Sequence, residues 1–93
     1  MLYLLQWIAS IYFNQQKYNI AEKTAFDVIK KQASYEFWVT KSYILLGDIY
    51  LAQNDNFNAI ATYKSIAENA TIPALQQIAS DKLKAITETI KAQ

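Results

Sequence analysis

The chain repeats itself at a spacing of 38 residues, and that constrains its fold more than any other feature. Tyr12 is matched by Tyr50 and Ala21 by Ala59, each pair 38 positions apart. A self-similar unit of 20–50 residues signals supersecondary units that stack on one another, because each leaves an apolar face that only a neighbour can bury. The unit here is helical. Residues 2–14 carry Leu5, Ile8, Ala9 and Tyr12 on one face, and 18–32 carry Ala21, Ala25, Val28 and Ile29. Residues 35–53 carry Tyr43, Leu46, Gly47 and Tyr50, and 57–70 carry Ala59, Tyr63, Ile66 and Ala70. Both spacings follow the 3.6-residue period of an amphipathic helix. A last segment, 74–92, places Leu75, Ala79, Leu83, Ile86 and Ile90 on one stripe, with Gln76, Lys84, Thr87, Glu88 and Lys91 on the wet side.

Short polar breaks separate the segments. Asn54-Asp55-Asn56 is the clearest, since Asn and Asp bond to their own backbone and cap helices. Ser34 is set to cap the third segment, and Pro73 marks the start of the fifth, being accepted only in a first helical turn. Lys30 and Lys31 near a helix end suit the negative pole of its dipole. With one Gly and one Pro in 93 residues there is little material for tight β-turns, which argues against an all-β fold. The expected architecture is all-α and single-domain: one helical hairpin over 1–33, a second over 34–71, and a closing helix over 72–93.

Composition narrows function by exclusion. The chain has neither Cys nor His, so it lacks the commonest metal ligands and the usual nucleophile–base pairing. No cofactor or metal site is expected. The carboxylates Glu22, Asp27, Glu36, Asp48, Asp55, Glu68, Asp81 and Glu88 are scattered over different segments with no convergent group, so no enzyme is expected. Net charge is +1, and all nine basic residues are Lys. Without the bidentate fork of Arg or a basic face, nucleic acid is not an expected partner. The most apolar run, 1–13, is broken by Gln6 and Ser10 and falls short of the ~20 residues a membrane span requires. No Lys precedes it, so it does not read as a signal peptide.

The second unit is the more specific. Tyr43-x-x-Leu46-Gly47-x-x-Tyr50 followed by Ala59-x-x-x-Tyr63 resembles the signature of the tetratricopeptide repeat, with Tyr in place of the usual Trp and Phe. The only Gly of the chain lies mid-helix, where it costs roughly 1 kcal/mol relative to Ala, so a close approach of the paired helix is expected there. The first unit reads Leu5-x-x-Ile8-Ala9-x-x-Tyr12, then Ala21-x-x-x-Ala25, keeping the small positions but not the later aromatic. The four residues beyond the family's 34 fall at 36–39. They make about one helical turn, which predicts a lengthened third helix starting with Phe37 and Trp38. In register, the fifth segment carries Asp81 where the Gly belongs and Lys84 where the Tyr belongs, and so reads as a capping helix. A finer similarity is to the C-terminal repeats of tetratricopeptide proteins of the bacterial cell envelope. It is carried by Trp38-Val39-Thr40-Lys41 ahead of Leu45–Tyr50.

The resemblance implies a TPR-like α-solenoid, two antiparallel hairpins plus a C-terminal capping helix, that acts as a non-catalytic protein–protein interaction module. It implies a fragment of a longer repeat protein, with a cell-envelope or cytoplasmic location. The groove positions of the family fall on Tyr3, Gln6, Ser10, Phe13, Lys41, Ile44, Asp48 and Leu51, the expected site for a peptide or helix. With Gln6, Ser10, Ile44 and Asp48 at those positions, the groove is poorly built to clamp a terminal carboxylate. The alternative is a structural end segment that self-associates through the apolar first helix, with Leu2 and Leu5 as the contact residues and a homodimer as the product. Trp38 and Phe37 offer an exposed aromatic anchor or, more often for aromatics at a helix start, packing on the preceding helix near Phe26 and Ile29.

Overall fold

In the computed structural model, which describes residues 2–92 and the side chains of 4–91, five helices follow one another: α1 Leu2–Asn14, α2 Tyr18–Lys31, α3 Glu36–Ala52, α4 Asn56–Asn69 and α5 Pro73–Ala92. Each begins and ends within two residues of the span expected from periodicity. The third helix has 17 residues against 13 in α1, a difference of one turn. The cap of α3 is Tyr35 rather than Ser34, and no side chain closes that end.

The two hairpin turns are the same turn. In the first, the Gln16 amide donates to the Phe13 carbonyl and the Lys17 amide to the Tyr12 carbonyl. In the second, Asn54 donates to Leu51 and Asp55 to Tyr50, each partner 38 residues on. Among the described residues, Gln16 and Asn54 are the two with left-handed backbone, at φ 62° and 63°. The repeat is therefore conformational as well as sequential. The turns differ in capping. Asp55 Oδ1 accepts from the Asn58 amide at 3.2 Å, whereas Lys17 offers the first turn of α2 no side-chain acceptor.

Helices pack with their chain neighbours, and in addition α1 touches α3 and α3 touches α5. Among the described residues α2 and α4 do not touch each other, nor do α1 or α2 reach α5. The odd-numbered helices thus lie side by side in one layer, with α2 and α4 in the other. Its Cα extents of 42 × 29 × 16 Å fit two helix layers at 8–10 Å separation.

The core runs as three linked clusters. Ala9, Ala21 and Ala25 meet Leu45, Leu46 and Ile49 between the hairpins. Ile44, Ile66, Leu75 and Ala79 join α3 and α4 to α5. Ala59, Tyr63 and Ile86 form the third, with Tyr50, Ile60 and Leu83 around them. Helix α3 is buried on almost every side, Thr40, Ser42 and Gly47 included. Two expected faces shift in consequence: Tyr43 is exposed, and so is Ile90 at the end of α5. Gln76, expected on the wet side, is half-buried and donates to the Ala67 carbonyl at 2.8 Å.

Gly47 meets the expectation of a close approach and names its cause. A Cβ there would lie 2.8 Å from Cδ1 and Cζ of Tyr63, whose side chain is fully buried. The ring of α4 occupies the space that a methyl on α3 would need.

Candidate functional site

The groove expected along the inner side divides into two parts with different fates. In the second hairpin it is filled. Ile44 is a core residue, 8% exposed, beneath Leu75 and Ala79 of α5. Asp48, which the sequence leaves without a partner, has two: Lys82 Nζ lies 3.0 Å from its Oδ1, and the Tyr63 hydroxyl donates to the same oxygen. Burial pushes the Tyr63 hydroxyl far above its ordinary 10.0, with the hydrogen bond to Asp48 and the Asp48 charge adding to the rise. Ile44 is therefore covered by α5, whereas Asp48 is paired with Lys82 of α5 but keeps 23% of its side chain exposed and borders a recess. Leu51 remains exposed, at the rim of a recess of about 350 Å³ shared with Tyr63, Lys82, Ile86 and Ile90.

In the first hairpin the inner side stays open. Gln6 and Ser10 are half-buried and satisfy each other. Gln6 Nε2 donates to Ser10 Oγ at 3.2 Å, and Ser10 Oγ donates to the Gln6 carbonyl at 3.1 Å. Phe13 turns inward to the core, its ring centroid 5.8 Å from that of Tyr18, and so lines no groove. The side chains of Tyr3 and of Leu2 lie outside the described residues.

What the structure brings together instead is Gln6 and Trp7 of α1 with Trp38 and Lys41 of α3. They border an open recess of about 490 Å³. The added turn of α3 builds it. Trp38 meets the edge of Phe37 at right angles, centroids 4.9 Å apart, and Lys41 Nζ stands 5.7 Å above the Phe37 ring. Trp38 thus borders the recess with Gln6 and Trp7 of α1, and Phe26 of α2 is exposed. Chemically the recess offers two indole surfaces, one amide and one cation, a set suited to an apolar side chain with a nearby acceptor or carboxylate. Trp7 was not among the expected groove positions. Its signal was present in the residue type, since a Trp beside a polar position on an apolar helix is a frequent anchor.

Exposure along α1 bears on the residues expected for self-association. Leu5 is half-buried, whereas Leu4, Trp7 and Ile11 are exposed at 41%, 60% and 37%. Among the described residues no three His, Cys, Asp or Glu side chains gather in a way that could hold a metal ion. No described helix is long and apolar enough to cross a membrane. Comparison with protein-family models, curated proteins and solved structures found no match to this chain.

Proposed function

We propose that the chain is a non-catalytic protein–protein interaction module of tetratricopeptide type, and that it takes a peptide or helix at the inner recess of its first hairpin. The observation that carries this reading is the position of the recess. It lies on the side where odd-numbered helices meet, and is lined by Trp7 and Trp38 with Lys41 as its one charge. Aromatic anchors beside a single charge are the residue types that concentrate binding energy at interfaces. The resemblance to the repeat family rests on Leu46, Gly47, Tyr50, Ala59 and Tyr63. The fit of Gly47 to the Tyr63 ring supports it.

Peptides selected from a displayed random library against the folded chain test this reading. Those that bind through the recess lose at least about tenfold in affinity on Trp38→Ala or Lys41→Glu, roughly 1.4 kcal/mol or more. The helical circular dichroism should stay intact, because Lys41 is only half-buried. Affinity unchanged in both variants contradicts the recess.

A second reading, a structural segment of a helical array, is favoured by the exposed Leu4, Trp7 and Ile11. The two readings share Trp7, which borders the recess and is exposed together with Leu4 and Ile11.

A further inference from the structure

A second cavity, of about 450 Å³, lies between the first half of α3 and the last half of α4. It is separate from the recess of Trp7 and Trp38. At 3.6 residues per turn, its α3 residues Glu36, Val39, Thr40 and Tyr43 share the face of that helix opposite to Trp38 and Lys41. Its size suits a small organic ligand. The 38-residue register shows why it is open. Where α2 carries Lys23, Asp27 and Lys31, α4 carries the shorter Ala61, Ser65 and Asn69, and all three line the cavity. The added turn of α3 supplies Glu36 and Val39 as a further wall.

The chemistry of the lining is one-sided. Val39, Ile66 and Ala70 give an apolar surface. Thr40, Tyr43, Thr62 and Ser65 give hydroxyls that bond to no other group among the described residues, and Thr40 is more than nine-tenths buried. Glu36 is the one charged residue in the lining, and no cation among the described residues pairs with it. The end of α4 adds to this. Helix α2 sets Lys30 and Lys31 on the negative pole of its dipole, whereas the last turn of α4 has no basic residue.

We infer that this cavity binds an alkylammonium group on an apolar stem, the ammonium between Glu36 and the end of α4 and the stem against Val39 and Ile66. The ammonium then stands in for the cation that Lys31 provides in the first hairpin. A guanidinium suits the site less well. The Thr71 hydroxyl donates to Glu36 Oε1, which leaves Oε2 as the open oxygen, and a planar fork needs both. Asn69 spends its Nδ2 on the Ser65 carbonyl at 3.0 Å, so its Oδ1 is left as an acceptor for an ammonium hydrogen.

Amide chemical shifts of the folded chain, followed by NMR during titration with Nα-acetyl-lysine N-methylamide, test the site. Saturable shifts are expected at Val39, Thr62, Ser65 and Asn69, with a Kd of about 1 mM for a probe of about 14 non-hydrogen atoms. The norleucine analogue keeps the stem and lacks the ammonium; it and the arginine analogue should each bind at least about tenfold more weakly. Glu36→Gln, which can still accept from Thr71, should weaken the lysine probe by a similar factor. Asn69→Lys, which restores the residue of the first hairpin, should abolish binding. Both positions are exposed, so the helical circular dichroism should stay intact. Trp38→Ala, aimed at the recess, should leave binding in place, so cavity and recess are tested separately. Titration with n-pentylammonium identifies the source: tighter binding than the lysine probe assigns a free amine, and weaker binding a lysine of a partner, both at the ammonium site. Absence of saturable shifts, equal binding of the norleucine analogue, tighter binding of the arginine analogue, or affinity unchanged by Glu36→Gln overturns the inference.

Discussion

The first and second hairpins share a backbone and differ in nearly everything that fills it. Both turn through a left-handed residue with the same pair of amide bonds, Gln16 in one and Asn54 in the other. Where the second sets Gly47 against the ring of Tyr63, the first has Ala9 and Ala25 at the matching positions of one core cluster, all four fully or almost fully buried. One hairpin matches no side chain with a very large one, and the other has two methyls. Where the second holds Asp48 between Tyr63 and Lys82, the first holds Ser10 bonded only to its own helix. The second hairpin is covered on both sides, by α2 and by α5, and the first on one side only. The comparison teaches that turns and small residues fix the repeating geometry, while the side chains around them decide which copy is closed and which stays open to a partner.

The largest effect that could break this comparison is at the Gly47–Tyr63 contact. Gly47→Ala is expected to cost roughly 1–3 kcal/mol through overpacking, despite the better helix propensity of Ala. In a Tyr63→Ala background the same change should become stabilising, by up to about 1 kcal/mol, since the clash is gone and only propensity remains. Denaturant unfolding of the four proteins measures the coupling, and additive costs would mean that the ring does not hold the glycine in place.

Next is the buried hydroxyl. Tyr63→Phe removes the donor to Asp48 and leaves Lys82 as its partner, at an expected cost of about 1–2 kcal/mol. The raised affinity of the Tyr63 hydroxyl for its proton gives this a pH signature. A group whose folded value lies above its unfolded 10.0 contributes stability that is whole below pH 10 and is lost as pH rises above it. Tyr50 acts in the same sense, raised by burial and then by the charges of Glu22 and Asp55. Stability should therefore fall above pH 10, and less steeply in Tyr63→Phe; equal slopes would remove Tyr63 from the account.

The smallest effect sharpens the contrast in capping. Asp55→Ala should cost on the order of 1 kcal/mol, because Oδ1 holds the Asn58 amide. Lys17→Asp, which supplies the missing acceptor at the matching position, should add about 0.5–1 kcal/mol. Thermal melts of both variants decide it, and a destabilising Lys17→Asp would show that the two turns are not equivalent.

Much of the fold is legible because helix bounds are local. Periodicity and the breaks at 14–17 and 54–56 place the helices, and a lone mid-helix Gly announces its contact. The groove was less legible for a physical reason. The covering of Ile44 and the pairing of Asp48 come from Leu75, Ala79 and Lys82, some thirty residues away on a helix whose docking no local pattern encodes. Faces were misread where a helix is apolar all round. On α3 no single stripe stands out, so Tyr43 was given an inward position that Ile44, Leu45 and Ile49 in fact hold. On α1 the same composition conceals which side is open: Leu5 is half-buried, while Leu4, Trp7 and Ile11 are exposed. Periodicity reports which residues are apolar, and only the packing partners determine which of them are covered.

Hydrogen exchange of the backbone amides tests most directly whether one hairpin is closed and the other open. Exchange reports the free energy of local opening, which is lowest where few apolar contacts hold an element. The account predicts the slowest exchange in α3 between Ile44 and Ile49, covered from both sides. It predicts distinctly faster exchange in α1, where Leu4, Trp7 and Ile11 are exposed. Exchange of α1 and α3 at one common opening free energy would contradict it.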